Sequence, residues 1–381
     1  MTTRADLVIV GAGLAGSAAA WAASARGLDV VVLEAFGPGH KNGSSHGSAR
    51  IFRRAYPDPL YVRLTGAAGE RWRELADQAG ETLLTRTGGL DFGAARNPRR
   101  LHEVLTGCGV PAELLEAGTA ARRWPYFDFT GVGEVMFHAD AGVLDPSHAM
   151  AAMLRLAAAN GADIRFGTPV TRLALTAAGD GAVAHTDSGT FIAPVIAVAA
   201  GAWLAPLLDG AVELPPLAVT QQQVFHFAPV PTPGQAAPAD PWPIFVHKDG
   251  IDDCYGLPGG RDGEVPGAIK IGEHGGYRTT TAADRDFVVD PAARARVAEF
   301  VAARIPGLAT TPVNELTCLY TRTSNEDFVL DRCGPFVIAS PCSGHGAKFA
   351  PLLGEIIADL ATGKPAPDPR FTLAAHGVTR A

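Results

Sequence analysis

The sequence predicts an α/β fold, α+β overall: a parallel-sheet domain built from both ends of the chain, and a second, β-rich domain between them. Three observations carry this. The N-terminal stretch DLVIVGAGLAGSAAAWAASARGLDVVVLEA reads as strand, glycine turn, alanine-rich helix and second strand. Near the other end, FVIASPCSGHGAKFAPLLGEIIADL reads again as strand, glycine turn and helix. From about Pro215 to Phe328, β-like runs alternate with proline-rich loops. A chain of 381 residues is long enough for two domains with well-buried cores.

The N-terminal stretch is specific because its glycines stand in the required context. LVIV feeds a G-A-G-L-A-G turn in which Gly11 turns the chain, Gly13 lets the backbone approach a pyrophosphate, and Gly16 lets helix and strand pack closely. Leu14 and Ala15 open the helix, RG closes it, and Glu34 ends the second strand as the acid expected on a ribose hydroxyl. This is a Rossmann-like dinucleotide fingerprint; the competing reading is a glycine turn without a ligand. The chain then leaves into NGSSHGSARIFRRAY rather than into consecutive βα units, and no second strand–GxGxxG–helix follows, which argues for FAD and against a separate NAD(P)H site. The apolar run Leu7 to Ala23 could mimic an export signal, but three glycines inside its core do not suit one, so the expectation is a soluble cytoplasmic protein.

Further along, a helix is expected over roughly Leu60 to Ala79, then a strand and turn in RTGGLDFG, then a variable segment to about Asp140. DPSHAMAAMLRLAAANG reads as a helix with Asp145 as N-cap, Pro146 in its first turn and Gly161 at its end. Strands, a hairpin and a final buried strand stopping at Gly201 follow, and PVPTPGQAAPADPWP is expected to be an exposed loop. The layout implies a discontinuous nucleotide domain of residues 1–85, 140–214 and 329–381, with residues 86–139 and 215–328 forming a substrate domain. A pocket between two such domains is the natural binding site.

Composition narrows the function. A formal charge of −7 gives no concentrated basic surface for nucleic acid. The five cysteines, Cys108, Cys254, Cys318, Cys333 and Cys342, form no CxxC pair, so neither a disulfide framework nor a metal site is indicated. Cys318 is the exception that calls for a reason: it stands in TCLYTRTSNEDF, a β-branched and aromatic run before a polar turn. It is either a small buried hydrophobe or a reactive thiolate.

Taken together, VGAGLAGSAAA, NGSSHGSARIFRRAY, CLYTRTSNEDFVLD and SGHGAKFAPLLGEIIADL resemble, in collinear order over nearly the whole chain, the D-amino-acid-oxidase-like flavoproteins. Within these the resemblance is to monomeric sarcosine oxidase and N-methyltryptophan oxidase. It implies a glutathione-reductase-like flavoprotein architecture, a monomer, no membrane and no metal. It implies FAD linked covalently through its 8α-methyl carbon to Cys318. Arg50 and His46 would lie beside the flavin, with Gly344, Gly346, Ser48, Ile51, Ala35, Val170, Gly201 and Trp203 completing its site. Arg53 and Lys348 would anchor the substrate carboxylate, an arginine fork suiting such a group. The glycines of GHGAKF would bring backbone N–H groups and a helix N-terminus to the flavin edge. Lys270 would lie over the flavin and activate oxygen, and His274 and Tyr320 would line the substrate cavity. Arg54, Lys41 and His345 are read as surface or structural residues. One departure stands out: Ser48-Ala49-Arg50 replaces the family's usual D-T-R.

The activity so implied is oxidation of a secondary amino acid, N-methyl or cyclic, to an imine with O2 reduced to H2O2. The alternatives are a dehydrogenase of the same fold serving a quinone or protein acceptor, a D-amino acid oxidase, and a non-catalytic flavin-binding protein.

Overall fold

Leu7–Val10 and Val30–Leu33 are β-branched, wholly buried strands that pair in parallel, Leu7 opposite Val30. Continuous apolar runs of this kind suit a sheet covered on both faces. They lie inside a six-stranded sheet ordered Asp163–Arg165, Val30–Leu33, Leu7–Val10, Val195–Val198, Phe336–Ser340, Val329–Cys333. Every pairing in it is parallel except the last, so strands from both ends of the chain meet at its centre. The computed structural model describes residues 1–230, 241–275 and 278–378. Most of the loop expected in PVPTPGQAAPADPWP lies outside them.

Helices Leu14–Ala25, Pro146–Ala159 and Ala350–Ala361 cover one face of this sheet, and their alanines and glycines let them approach closely. A Cβ on Gly354 would stand 2.3 Å from the carbonyl oxygen of Ala18. The other face is covered by a smaller sheet, Thr2–Arg4, Gly189–Ala193, Ala182–Thr186 and Val170–Leu175.

The largest sheet runs Arg278–Thr279, Ala218–Pro229, Ile269–Glu273, Cys254–Pro258, Ile244–His247, Gly89–Phe92, Glu134–His138, Glu113–Glu116. The long strand Leu308–Arg322 pairs antiparallel with Ala218–Pro229, which sets Cys318 opposite Gln222 and Tyr320 opposite Thr220. Its back face is an aromatic core containing Phe92, Phe225, Phe245 and Phe300. A three-stranded ribbon of Arg50–Phe52, Gly142–Leu144 and Leu84–Arg86 joins the two layers.

Two expectations need correction. The region 215–328 is not only strands and loops, because Pro291–Arg304 is a helix packed on the aromatic core. Its start carries the signature used correctly at Asp145: Asp290 caps it, accepting from the N–H of Ala292, and Pro291 follows. The buried strand expected to stop at Gly201 ends at Val198, and Gly201 instead opens a short 3₁₀ turn at φ +54°. Among the described residues no helix is long and apolar enough to cross a membrane.

Candidate active site

The glycine turn forms a cradle that excludes side chains. A Cβ on Gly16 would lie 1.8 Å from the carbonyl oxygen of Gly11, and one on Gly11 (φ +99°) would lie 2.7 Å from that of Ala199. The N–H of Leu14 is capped by Ser45 Oγ at 3.1 Å. Those of Ala15 and Gly16, in the same first turn, meet no acceptor among the described residues. Free donors at a helix N-terminus beneath a backbone with no side chains suit a pyrophosphate. The buried Glu34 carboxylate accepts from Ala12 N (2.8 Å) and Phe36 N (2.9 Å), which holds it at the rim of the turn. Trp203 reaches this rim through Phe36, ring centroids 5.5 Å apart, and Thr168, two residues before Val170, donates its N–H to the Glu34 carbonyl. Ala35 is exposed beside them. The structure therefore offers what FAD needs at its dinucleotide end.

From the cradle the loop at Ser45 leads into a cavity of about 410 Å³ between the parallel and the large sheets, within the usual range for a small-molecule site. His46, Arg50, Ile51, Arg53, Lys270, His274, Cys318, Tyr320, Gly344 and Lys348, all singled out in the sequence, line it together. Ser48 and Gly346 stand just behind its wall, and a Cβ on Gly346 would meet Pro341 O at 1.7 Å. Val170, Gly201 and Trp203 belong to the cradle rim and not to the cavity.

Strand periodicity explains how a lysine comes to be inside. Ile269 and Ile271 face the aromatic core, so Lys270 between them projects from the other face, where the cavity lies. It is 4% exposed and donates to the carbonyl of Ala49 at 3.1 Å. Burial, then the charge of Arg50, pushes its ammonium down to about 7. On Leu308–Arg322, which lies across Ala218–Pro229 from the Lys270 strand, Cys318 and Tyr320 share the cavity face while Leu319 is buried on the other. Burial raises the Cys318 thiol, and the charges of Arg50, Lys270 and Arg285 pull against it. Arg50 is held by three backbone carbonyls, those of Ala49, Ser44 and His46. His46 is pushed down to about 3 by burial and by Arg50, and its Nε2 has no partner among the described residues.

Arg53 and Lys348 come from opposite ends of the chain and meet at Tyr56. The Arg53 guanidinium lies 4.5 Å from the Tyr56 ring centroid and donates to the Ala55 carbonyl. Lys348 is 4% exposed and donates to the Tyr56 hydroxyl (3.1 Å) and the His345 carbonyl (2.8 Å). Neither has a carboxylate partner among the described residues. A buried lysine beside a half-buried arginine, neither bonded to an acid, is costly unless a ligand supplies one. His274, with its ring centroid 5.0 Å from that of Tyr255, is pushed well below its ordinary value by burial, and its Nε2 has no partner among the described residues. Arg54 turns away to Asp140 and the Val62 carbonyl. His345 bonds Tyr56 and the Glu326 carbonyl while also lining the cavity.

The sequence reading does not single out several neighbours. Asp262 and Ser48 bond reciprocally, Ser48 N to the carboxylate (2.6 Å) and Asp262 N to Ser48 Oγ (3.0 Å). An acid from a distant loop thus stands against Ser48, where the resemblance of the sequence leads to the expectation of an acid. Arg285 ties the Lys41 and Asn42 carbonyls to Thr317, next to Cys318. Nothing in the spacing announces either. Tyr56, Tyr255, Arg96 and Lys248 also line the cavity. For Arg96 a signal was present: Asp91, inside the buried run GLDF, requires a cationic partner.

Comparison with known proteins bears on the family and the fold. The family described as FAD dependent oxidoreductase matches residues 6–360. A monomeric sarcosine oxidase of Streptomyces avermitilis is 34% identical over 371 residues, covering 95% of this chain and 94% of that protein. An N-methyl-L-tryptophan oxidase of Citrobacter koseri is 30% identical over 384 residues, covering 98% of each. The solved open form of NikD, described as an unusual amino acid oxidase essential for nikkomycin biosynthesis, superimposes with a TM-score of 0.83 at 26% identity. That match covers 97% of this chain and 96% of NikD.

Proposed function

The chain belongs to the FAD dependent oxidoreductase family, and on that premise we propose that it oxidises a secondary amino acid, N-methyl or cyclic, to an imine, with oxygen as acceptor and hydrogen peroxide as product. The observation that carries the substrate class is the meeting of Arg53 and Lys348 in one cavity, neither bonded to a carboxylate among the described residues. A substrate carboxylate would bridge them, Arg53 through its fork and Lys348 as a point charge. The apolar edges of Tyr56, Tyr255 and Tyr320 exclude water around it. His274 is a neutral imidazole beside this place, so it can exchange a hydrogen bond with the substrate nitrogen without repelling it.

FAD, when bound, supplies the two-electron acceptor for the C–H bond next to nitrogen. The residues that would hold it are the cradle Gly11, Gly13, Leu14, Ala15, Gly16 and Glu34, then His46, Arg50, Cys318 and the glycines at 344 and 346. A covalent cysteinyl attachment through Cys318 is part of this reading, supported by the position of its thiol among three cations on the cavity wall. Lys270 would set a fixed positive charge where negative charge develops on oxygen, and such preorganised charge needs no reorganisation during reaction.

The test is an aerobic screen of sarcosine, other N-methyl amino acids, proline, pipecolate and D-amino acids, reading peroxide. Carboxylate-bearing amines should be oxidised and simple carboxylates should compete. Faster oxidation of uncharged amines, with indifference to carboxylate inhibitors, would overturn the amino-acid assignment. Anaerobic bleaching of the flavin without peroxide on admission of air would point to a different electron acceptor.

A further inference from the structure

Beyond Arg53 the row of cations continues. Arg96 donates from Nη2 to the Ala55 carbonyl at 3.0 Å, the same oxygen that receives Arg53. Its Nε is held at 2.6 Å by Asp91, a carboxylate with no solvent exposure. The turn that delivers Arg96 is pressed onto the strand end carrying Lys248. Gly93 has φ +96°, and a Cβ there would lie 2.3 Å from the Lys248 carbonyl. Arg96 N donates to that same carbonyl at 2.9 Å, and Lys248 N donates to Phe92 O at 3.0 Å. Arg96 and Lys248 are therefore fixed side by side by backbone geometry, and both line the cavity.

The acids that act on Lys248, Asp253 and Glu326, do so from beyond bonding distance. The Lys248 ammonium has no hydrogen-bond or ion-pair partner among the described residues. Of the acids lining the cavity, Glu326 is taken by Arg322, and Asp58 and Asp327 by Arg370. Arg96 keeps Nη1 free of any protein partner among the described residues. His138, beside Asp91, is pushed down to about 4 by burial and contributes no charge near neutral pH. A buried Asp–Arg pair replaced by apolar residues of similar size is often no less stable, so its value here is in aiming the guanidinium. The α-carboxylate of the substrate occupies only the Arg53–Lys348 end of this row.

We propose that Arg96 and Lys248 form a second anion site, and that the preferred substrate is an N-substituted amino acid carrying a further carboxylate on its side chain or N-substituent. This rests on the function proposed above and names its substrate class. Steady-state oxidation by the holoenzyme should be compared for N-methylglutamate and N-methylaspartate against N-methylglutamine and N-methylasparagine, their near-isosteric uncharged analogues. The acidic substrates should lead by about tenfold or more in kcat/KM, the effect of one half-buried charge pair. Lys248→Met should bring that ratio close to one, and Arg96→Lys, which leaves Asp91 paired, should lower it in part. A separate readout is thermal stability: glutarate should raise the melting temperature of the holoenzyme more than butyrate does, and Lys248→Met should abolish the difference. Equal or better turnover of the uncharged substrate, or a ratio unchanged in Lys248→Met, overturns the second site and leaves the parent function standing. No turnover of any N-substituted amino acid overturns the parent function, and the glutarate measurement then still decides whether the anion site exists.

Discussion

The nucleotide cradle and the substrate cavity are built on opposite plans. In the cradle the decisive atoms are backbone, drawn from one stretch of about thirty residues, and the sequence works by leaving side chains out. In the cavity the decisive atoms are side-chain cations carried by segments near residues 50, 96, 248, 270 and 348, and, Arg96 with its Asp91 apart, they have no bonded carboxylate among the described residues. Absence of bulk is a local property and absence of charge is a global one. The first should fail by distortion, the second by loss of a single chemical step in a folded protein.

The largest effect should come from the cradle. Gly16→Ala places a methyl 1.8 Å from the Gly11 carbonyl, so the backbone itself must move. We expect a destabilisation of about 3 kcal/mol or more, seen as a lowered melting temperature and a protein purified without flavin. A yellow variant with unchanged melting would break the comparison. Lys270→Met should do the reverse: the fold and anaerobic reduction by substrate survive, while reoxidation by oxygen slows by about 10²–10³. Because burial pushes this ammonium down to about 7, its charge is present below that pH and lost above it. Reoxidation in the native protein should slow as pH rises through that value, and the Met variant should lack the inflection. Equal loss in both half-reactions would make Lys270 a structural residue. Cys318→Ser, at the border of the two regions, should have the smallest effect on the fold. Acid-precipitated native protein should stay yellow, whereas the Ser variant should release its flavin to the supernatant. Release from the native protein would end the covalent assignment and leave FAD binding intact.

The same contrast sets what could be read from the chain. GAGLAG and its flanking strands announce themselves because the spacing of three glycines is the mechanism. Asp145 and Pro146 announced a helix, and Asp290 and Pro291 offered the same sign at the helix Pro291–Arg304, obscured by a region otherwise rich in strands. Arg50, Arg53, Lys270, Cys318 and Lys348 were legible through resemblance, and the structure adds that they face one space. Asp262 could not be seen, since its bond to Ser48 crosses 214 residues and depends on two loops meeting. Arg285 is similar: it reads as one charge among many until it is found grasping backbone on both sides of the flavin-side wall.

The contact of Gly354 with Ala18 has a consequence for how the protein is made. The helix Leu14–Ala25 precedes, by more than three hundred residues, both the strand Phe336–Ser340 at the centre of the sheet and the helix Ala350–Ala361 that packs on it. Until they arrive, an alanine-rich helix and the centre of the parallel sheet stand open to water and to chaperones. A chain cut before residue 336 should therefore keep the glycine turn but lack the packing that braces it, and should purify without flavin.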